Sequence, residues 1–340
     1  MKKALLFKKL ENKLAQCQNC SHYCILKNNE VGKCGVRQNI NGEIYSLVYR
    51  KICALHIDPI EKKPLFHFLP GTYSLSIATV GCPFGCLNCQ NWQISQAPKL
   101  WGKIEGKDFS PQEIVKIAQE QQTPSISYTY TDPIVFSEYA LEIMKLAKTK
   151  NIKNNWISNG FWSKELLQEI SPYLDAVNID LKSFSDNFYQ KYCNGKLQPV
   201  LDTLRNLKKK NIWIEVTTLI IPTLNDNKKE ITEIANFIKK ELGENTPWHV
   251  TKFCASLSWK LQNLPDTPAQ TLKMAHQIGK QAGLRYVYTG NIPGLDSENT
   301  YCPHCSTLAI ERKNFFIHRY DKKGHCPSCG EDLNIIELQK

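Results

Sequence analysis

A chain of 340 residues with 42% apolar and 22% charged side chains can bury a sizeable core, which excludes a disordered protein. No apolar run reaches the roughly 18–20 residues of a membrane-spanning helix. Phe7-Lys8-Lys9 interrupts the opening MKKALLFKKLENK before a signal-peptide core can form, so a cytoplasmic protein with no membrane partner is expected. The net charge of +11, 43 basic against 32 acidic residues, is scattered along the chain and describes a solvated surface; nucleic acid is not an expected partner.

Fourteen cysteines are the informative count. With no export signal, clustered cysteines in a reducing compartment bind metal more often than they form disulfides. The first group is Cys17, Cys20, Cys24 and Cys34, spaced C-x2-C-x3-C-x9-C. It suits zinc or an iron–sulfur cluster with every iron ligated, and His22 could replace one thiolate; the two metals stand level. Residues 1–70 form an expected N-terminal Cys-rich segment, with a hairpin turning at Asn41-Gly42 and then a connecting loop.

A strand–helix alternation begins at Thr72–Val80 and runs into Cys82, Cys86 and Cys89, spaced C-x3-C-x2-C. A helix starts at Ser110, where Pro111 and Glu113 complete a capping box. Further strands are expected at 125–130, 152–158, 176–181, 212–221, 248–253 and 285–289, with amphipathic helical patterns between them. Seven strands with intervening helices imply an α/β fold over residues 71–295, a parallel sheet curled into a full or partial barrel. Such folds deliver functional residues at the C-terminal ends of their strands. Here those ends carry the three cysteines, Thr131-Asp132-Pro133, Ser158-Asn159-Gly160, Asp180-Leu181-Lys182, then His249 with Lys252, and Gly290-Asn291. Each alone could be a cap or a turn; their recurrence on one rim marks a candidate active site.

Three thiolates on a four-iron cluster leave one iron open for a substrate or cofactor. The competing reading completes the site with a fourth cysteine from elsewhere, such as Cys53. Residues 296–340 hold Cys302, Cys305, Cys326 and Cys329, two C-x2-C knuckles around a short hairpin. That is a zinc-ribbon-like four-cysteine module with structural zinc, for which a rubredoxin-like iron site is the competitor. Cys53, Cys193 and Cys254 stand alone and are expected as small buried hydrophobes.

The segment GCPFGCLNCQNW (81–92) resembles the cluster-binding loop of radical S-adenosylmethionine (SAM) enzymes. The N-terminal CxxCxxxC…GKCGVR and a series of later stretches resemble the radical SAM enzyme of the AmmeMemoRadiSam system. Those stretches, in order, are DPIEKKPLFHFLPG, SYTYTDPIVFSEY, ISNGF, VNIDLKSF, YCNGKLQPVLDTL, PWHVTKF and YVYTGN…NTYCPHC, so the resemblance covers about residues 17–330. That family is related to activating enzymes of glycyl-radical enzymes, such as pyruvate formate-lyase activating enzyme.

The resemblance implies a partial (β/α)6-type radical SAM barrel. It implies that Cys82, Cys86 and Cys89 hold a 4Fe–4S cluster, that SAM chelates the fourth iron, and that reductive cleavage yields a 5′-deoxyadenosyl radical. That radical abstracts hydrogen from a substrate the sequence does not identify. Tyr130, Thr131 and Asp132 occupy the place of the superfamily's Gly-Gly-Glu segment, with Asp for Glu and no glycines. Asn91, Ser158, Asn159, Asp180 and Lys182 are further SAM-side candidates, and His249 is a candidate on the substrate side. Asn88 stands where many such loops carry an aromatic, which leaves adenine stacking to Phe84 or Trp92. Flavodoxin or ferredoxin is the implied electron donor, and Memo-like and AMMECR-like proteins are implied partners. Two rival readings are an activase that takes hydrogen from a glycine of a partner protein, and a non-catalytic metal-stapled nucleic-acid-binding or electron-transfer protein.

Overall fold

Alternation sets the centre of the molecule. Trp213–Ile220 turns Ile214 and Val216 to one side and Glu215 and Thr217 to the other, as the two-residue period of a strand requires. The computed structural model describes residues 1–292, 294–313 and 316–338. Eight strands form its central sheet: β1 (Ala54–Pro59), β2 (Tyr73–Ala78), β3 (Ser125–Tyr128), β4 (Lys153–Ser158), β5 (Ala176–Asp180), β6 (Trp213–Ile220), β7 (Trp248–Lys252) and β8 (Val287–Gly290). Their spatial order follows their chain order, with β1 and β8 at the two edges. β2 to β8 run parallel, and β1 pairs antiparallel with β2.

The crossovers carry α1 (Pro111–Glu120), α2 (Ser137–Thr149), α3 (Lys164–Ile170), α4 (Leu197–Lys209), α5 (Lys228–Phe237) and α6 (Ala269–Gln281). α1 starts where the sequence indicates: the Ser110 side chain accepts from the Glu113 amide, and the Glu113 carboxylate accepts in return from Ser110 N. The helices cover the aliphatic face of the sheet. α6 approaches it so closely that a Cβ on Gly279 would lie 2.8 Å from Val287 Cγ2. Every strand expected from 72 onward is present, with ends trimmed by up to a few residues. β1 corrects the sequence reading, which gave this stretch to a connecting loop. Its central His56 and Ile57 are exposed, so it lacks the apolar alternation that would mark a strand.

The opposite, concave face is polar. Ser74, Ser76, Ser127, Asn155, Asn178, Glu215, Thr217 and His249 are all buried there, in register across neighbouring strands. At the N-terminal ends of the strands this face is crossed by residues 64–69. Phe66 N and His67 N donate to Glu215 (both 2.8 Å), and Asn178 Nδ2 donates to Pro64 O at 2.7 Å. Glu215 also takes His249 Nε2 at 2.7 Å. His67 Nε2 meets Tyr288 Oη at 2.6 Å. This strap is the floor of the barrel.

The flanking regions fasten onto the barrel. The hairpin Arg37–Ile40/Glu43–Ser46 turns at Asn41 and Gly42, both at positive φ, the backbone a tight two-residue turn demands. Arg37 is 2% exposed and grips Glu138 of α2 in two bonds of 2.8 and 2.6 Å. The C-terminal module is a three-stranded antiparallel sheet of Thr300–Tyr301, Leu308–Lys313 and Phe316–Arg319. It seals the floor from below: Ile336 N donates to His67 O at 2.7 Å, and Arg312 donates to Phe66 O at 2.8 Å.

Candidate functional site

The three-cysteine loop leaves the C-terminal end of β2 through Gly81. A Cβ there would lie 2.7 Å from Val36 Cγ1, and φ is +103°, so only glycine fits. Neighbouring turns then fix the loop backbone. Gly85 N and Leu87 N donate to Cys193 O and Tyr192 O (both 2.9 Å), and Lys260 N donates to Leu87 O at 2.8 Å. Gln96 and Lys99 both donate to Phe84 O, at 3.1 and 2.6 Å. Cys86 is buried, and Cys82 and Cys89 are half-buried. Among the described residues, only the C-terminal quartet brings three or more such ligand atoms within 4.8 Å of one another. The sulfurs of Cys82, Cys86 and Cys89 are therefore not all within 4.8 Å of one another, as thiolates on separate irons need not be.

Around this loop the structure gathers the rim residues. Asp132 is buried and accepts from Ser158 Oγ (3.0 Å), Asn159 N (2.8 Å) and Ile134 N (3.1 Å). Burial nevertheless prevails over these bonds and pushes its carboxyl up to about 6. Asn159 Nδ2 lies 4.0 Å from Cys82 Sγ. Asn91 Nδ2 donates to Tyr130 O at 2.9 Å. Lys182 Nζ pairs with Asp180 at 2.7 Å. Burial works against this ammonium, but Asp180 and the nearby thiols of Cys86 and Cys193 hold it well above the ordinary lysine range.

Other expected residues are spent inside the wall. Thr131 Oγ1 donates to Thr79 O at 2.8 Å, and Ser158 Oγ also accepts from Trp162 Nε1 at 2.8 Å. Phe84 is fully buried against Phe161 and Tyr189, whereas Trp92 is half-exposed and stacks on Trp259 with centroids 6.1 Å apart. His249 belongs to the floor network through Glu215 and Tyr288, and its hydrogen bond leads away from the loop.

Two features escaped sequence reasoning. Cys193 lies fully buried beside Cys86, and together with burial it pushes the Cys86 thiol well up. Nothing in the local sequence signals this, because the turn bearing Cys193 arrives from β5. The polar concave face was legible in the alternation of SLS (74–76) and EVT (215–217). Four of its groups, Ser76 Oγ, Asn155 Nδ2, Asn178 Oδ1 and Thr217 Oγ1, have no partner within the protein.

At the C-terminal quartet, Cys302 and Cys329 sulfurs are 3.6 Å apart and those of Cys305 and Cys326 are 3.5 Å apart. Both knuckles use the same turn: Ser306 N donates to Cys302 O, and Gly330 N to Cys326 O. The N-terminal Cys17, Cys20, Cys24 and Cys34 instead line one cavity.

An open parallel βα sheet with a fixed three-cysteine loop on its C-terminal rim is the arrangement expected of the radical SAM class. The Radical SAM superfamily profile matches residues 76–238. An uncharacterized protein of Methanocaldococcus jannaschii is 44% identical over 339 residues, which covers 99% of this chain and 100% of that one. The (2S)-3-sulfopropanediol dehydratase activating enzyme of Klebsiella oxytoca is 27% identical, over 57% of this chain and 61% of its own length. The pyruvate formate-lyase-activating enzyme of Clostridium pasteurianum is 24% identical, over 54% and 80%. Among solved structures, a domain of a pyruvate-formate lyase-activating enzyme from Bacteroides vulgatus has TM-score 0.43 and 17% identity, covering 48% of this chain and 98% of that one.

The chain belongs to the radical SAM superfamily, whose general reaction is SAM cleavage and whose cofactors are a 4Fe–4S cluster and SAM. Among the described residues, no helix is long and apolar enough to cross a membrane.

Proposed function

We propose that the protein is a cytoplasmic radical SAM enzyme of the AmmeMemoRadiSam group, acting on a substrate held at the polar concave face. The observation that supports it is the loop itself: three cysteines, anchored by neighbouring turns, on the rim that also carries Asp132, Asn159 and Lys182. With Cys82, Cys86 and Cys89 as its ligands, a 4Fe–4S cluster and SAM supply the 5′-deoxyadenosyl radical that takes a hydrogen atom from the substrate.

The chain's own residues orient and shield. Asn159, closest to Cys82, is a SAM-side group; Ser158 acts through Asp132, which it helps to fix. Asp132, whose carboxyl burial pushes up to about 6, offers an acceptor for the methionine amine. Lys182 and Asp180 place a fixed ion pair beside Cys86. Tyr130, Thr131 and Asn91 brace the turn that carries Asp132. The strap 64–69 and its Glu215–His249 pair close the opposite end against water. Flavodoxin or ferredoxin supplies the electron, and Memo-like and AMMECR-like proteins are the proposed partners.

The test is anaerobic incubation of the reconstituted protein with SAM and dithionite. Release of 5′-deoxyadenosine is expected, and Cys86→Ala abolishes it while the circular dichroism spectrum stays native. Intact SAM beside an assembled cluster overturns the proposal. The likeness to two activating enzymes favours a second reading, in which the hydrogen comes from a glycine of a partner protein. That reading requires a glycyl-radical signal on the partner.

A further inference from the structure

The two cysteine quartets build different spaces. A tetrahedral zinc ion with bonds of about 2.3 Å sets its sulfurs about 3.8 Å apart. The C-terminal sulfurs, 3.5 and 3.6 Å apart in pairs and all within 4.8 Å of one another, already match a single ion. Cys17, Cys20, Cys24 and Cys34 do not. No three of them bring their sulfurs within 4.8 Å of one another, although all four line one cavity.

The wall of that cavity carries an unanswered donor. Arg37 is 2% exposed, and its two terminal nitrogens are held by Glu138, but its Nε has no partner. A buried N–H without an acceptor has given up its hydration for nothing, so a ligand with acceptor atoms is expected there. Lys33 adds a second cation to the lining. His22, the alternative metal ligand, turns its Nε2 to Pro83 O at 3.0 Å, so that nitrogen is already engaged.

We propose that this cavity holds a second iron–sulfur cluster, closed by Cys17, Cys20, Cys24 and Cys34, and not a zinc ion. Thiolates that bind different irons of a cluster sit farther apart than thiolates on one ion, which accounts for the spacing. The sulfur-rich, anionic group gives Arg37 Nε its acceptor. With four protein ligands the cluster has no open iron and does not bind SAM. Its place is directly behind the catalytic loop. Pro83, between Cys82 and Cys86 in the chain, is part of the cavity wall, and Gly81 packs against Val36 and the carbonyl of Cys34. The three-cysteine loop thus contributes to the wall of the second site.

The test uses the full chain, reconstituted anaerobically with iron and sulfide. In the triple variant Cys82→Ala/Cys86→Ala/Cys89→Ala we expect iron and acid-labile sulfide to remain, with an electron paramagnetic resonance signal that SAM leaves unchanged. The double variant Cys20→Ala/Cys24→Ala loses that signal and keeps the SAM-sensitive one. Should the double variant fail to fold, the triple variant decides alone, because single-ion sites hold no inorganic sulfide. Absence of sulfide from the triple variant, with two zinc ions per chain, overturns the proposal. That outcome leaves the assignment of the catalytic loop untouched.

Discussion

Tyr130 has a backbone φ of +63°, in the left-handed region where a side chain costs about 1–2 kcal/mol. The resemblance sets this segment where the superfamily has glycines, and here a tyrosine side chain is held by several contacts. Its hydroxyl donates to Asp58, its ring lies 4.5 Å from the Lys63 ammonium, and its carbonyl accepts from Asn91. Side-chain contacts therefore offset backbone strain. Tyr130→Ala keeps the strain and loses the contacts, whereas Tyr130→Gly loses both. The glycine variant is expected to be about 1 kcal/mol more stable than the alanine variant by urea unfolding, with both below the parent. Cys193 permits a second prediction at this scale. Once Cys86 is a cluster-bound thiolate, a neighbouring thiol that donates to it withdraws electron density and raises the reduction potential, and Cys193 lies in that place. Cys193→Ala should thus lower the midpoint of the SAM-sensitive cluster in a redox titration at unchanged iron content. Loss of iron instead would show Cys193 to be a ligand. The rim positions of Asp132 and Asn159 were legible because strand ends fix them; the Cys86–Cys193 contact was not, because it joins two crossovers.

The strands were readable as elements because runs such as WIEVTTLI combine β-branched residues with a period of two. That period also separates the two faces, a signal left unused in the sequence, and the polar one turns inward, the reverse of a barrel packed with aliphatic layers. β1 was not readable, since an edge strand exposed at its centre has no apolar side to announce. The ribbon was readable from spacing alone because its geometry is local. Ser306 at φ +59° and Gly330 at φ +78° occupy the same turn of the two knuckles, so each pair of cysteines is presented alike. A metal held by the four thiolates would be the fourth side of this small sheet, whose own apolar cluster is the small group Cys302, Ala309, Cys326 and Leu333. Cys305→Ala should therefore cost on the order of several kcal/mol in the ribbon and release its metal, seen as a separate, earlier thermal transition that a chelator reproduces in the parent. A fully stable, metal-loaded variant would count against a structural site.

At the scale of the whole molecule, the floor joins segments that no sequence window contains. His67 Nδ1 meets the carbonyl of Leu333 at 3.0 Å across 266 positions, and its Nε2 meets Tyr288. A carbonyl at Nδ1 requires a proton there, so Nε2 accepts from the tyrosine and the ring is neutral. Burial pushes this imidazole down to about 4. Above pH 6.5 folded and unfolded rings are both neutral, and the full contribution is present. As pH falls from 6.5 toward 4 the unfolded chain takes up a proton that the folded floor refuses, so stability is lost. Between about pH 7.5 and about pH 5 the parent should lose about 2 kcal/mol more than His67→Gln in urea titrations, from the usual value per pK unit. Equal declines would remove His67 from the account.

The strict sequential order of the sheet carries a kinetic consequence. Each parallel strand finds its neighbour one crossover away, so the sheet can grow by successive short-range additions. The underside instead waits for partners separated by most of the chain, and such distant closures are slow. Fastening the base is then the late event of maturation. A chain arrested just before it has a finished mouth above an open shaft.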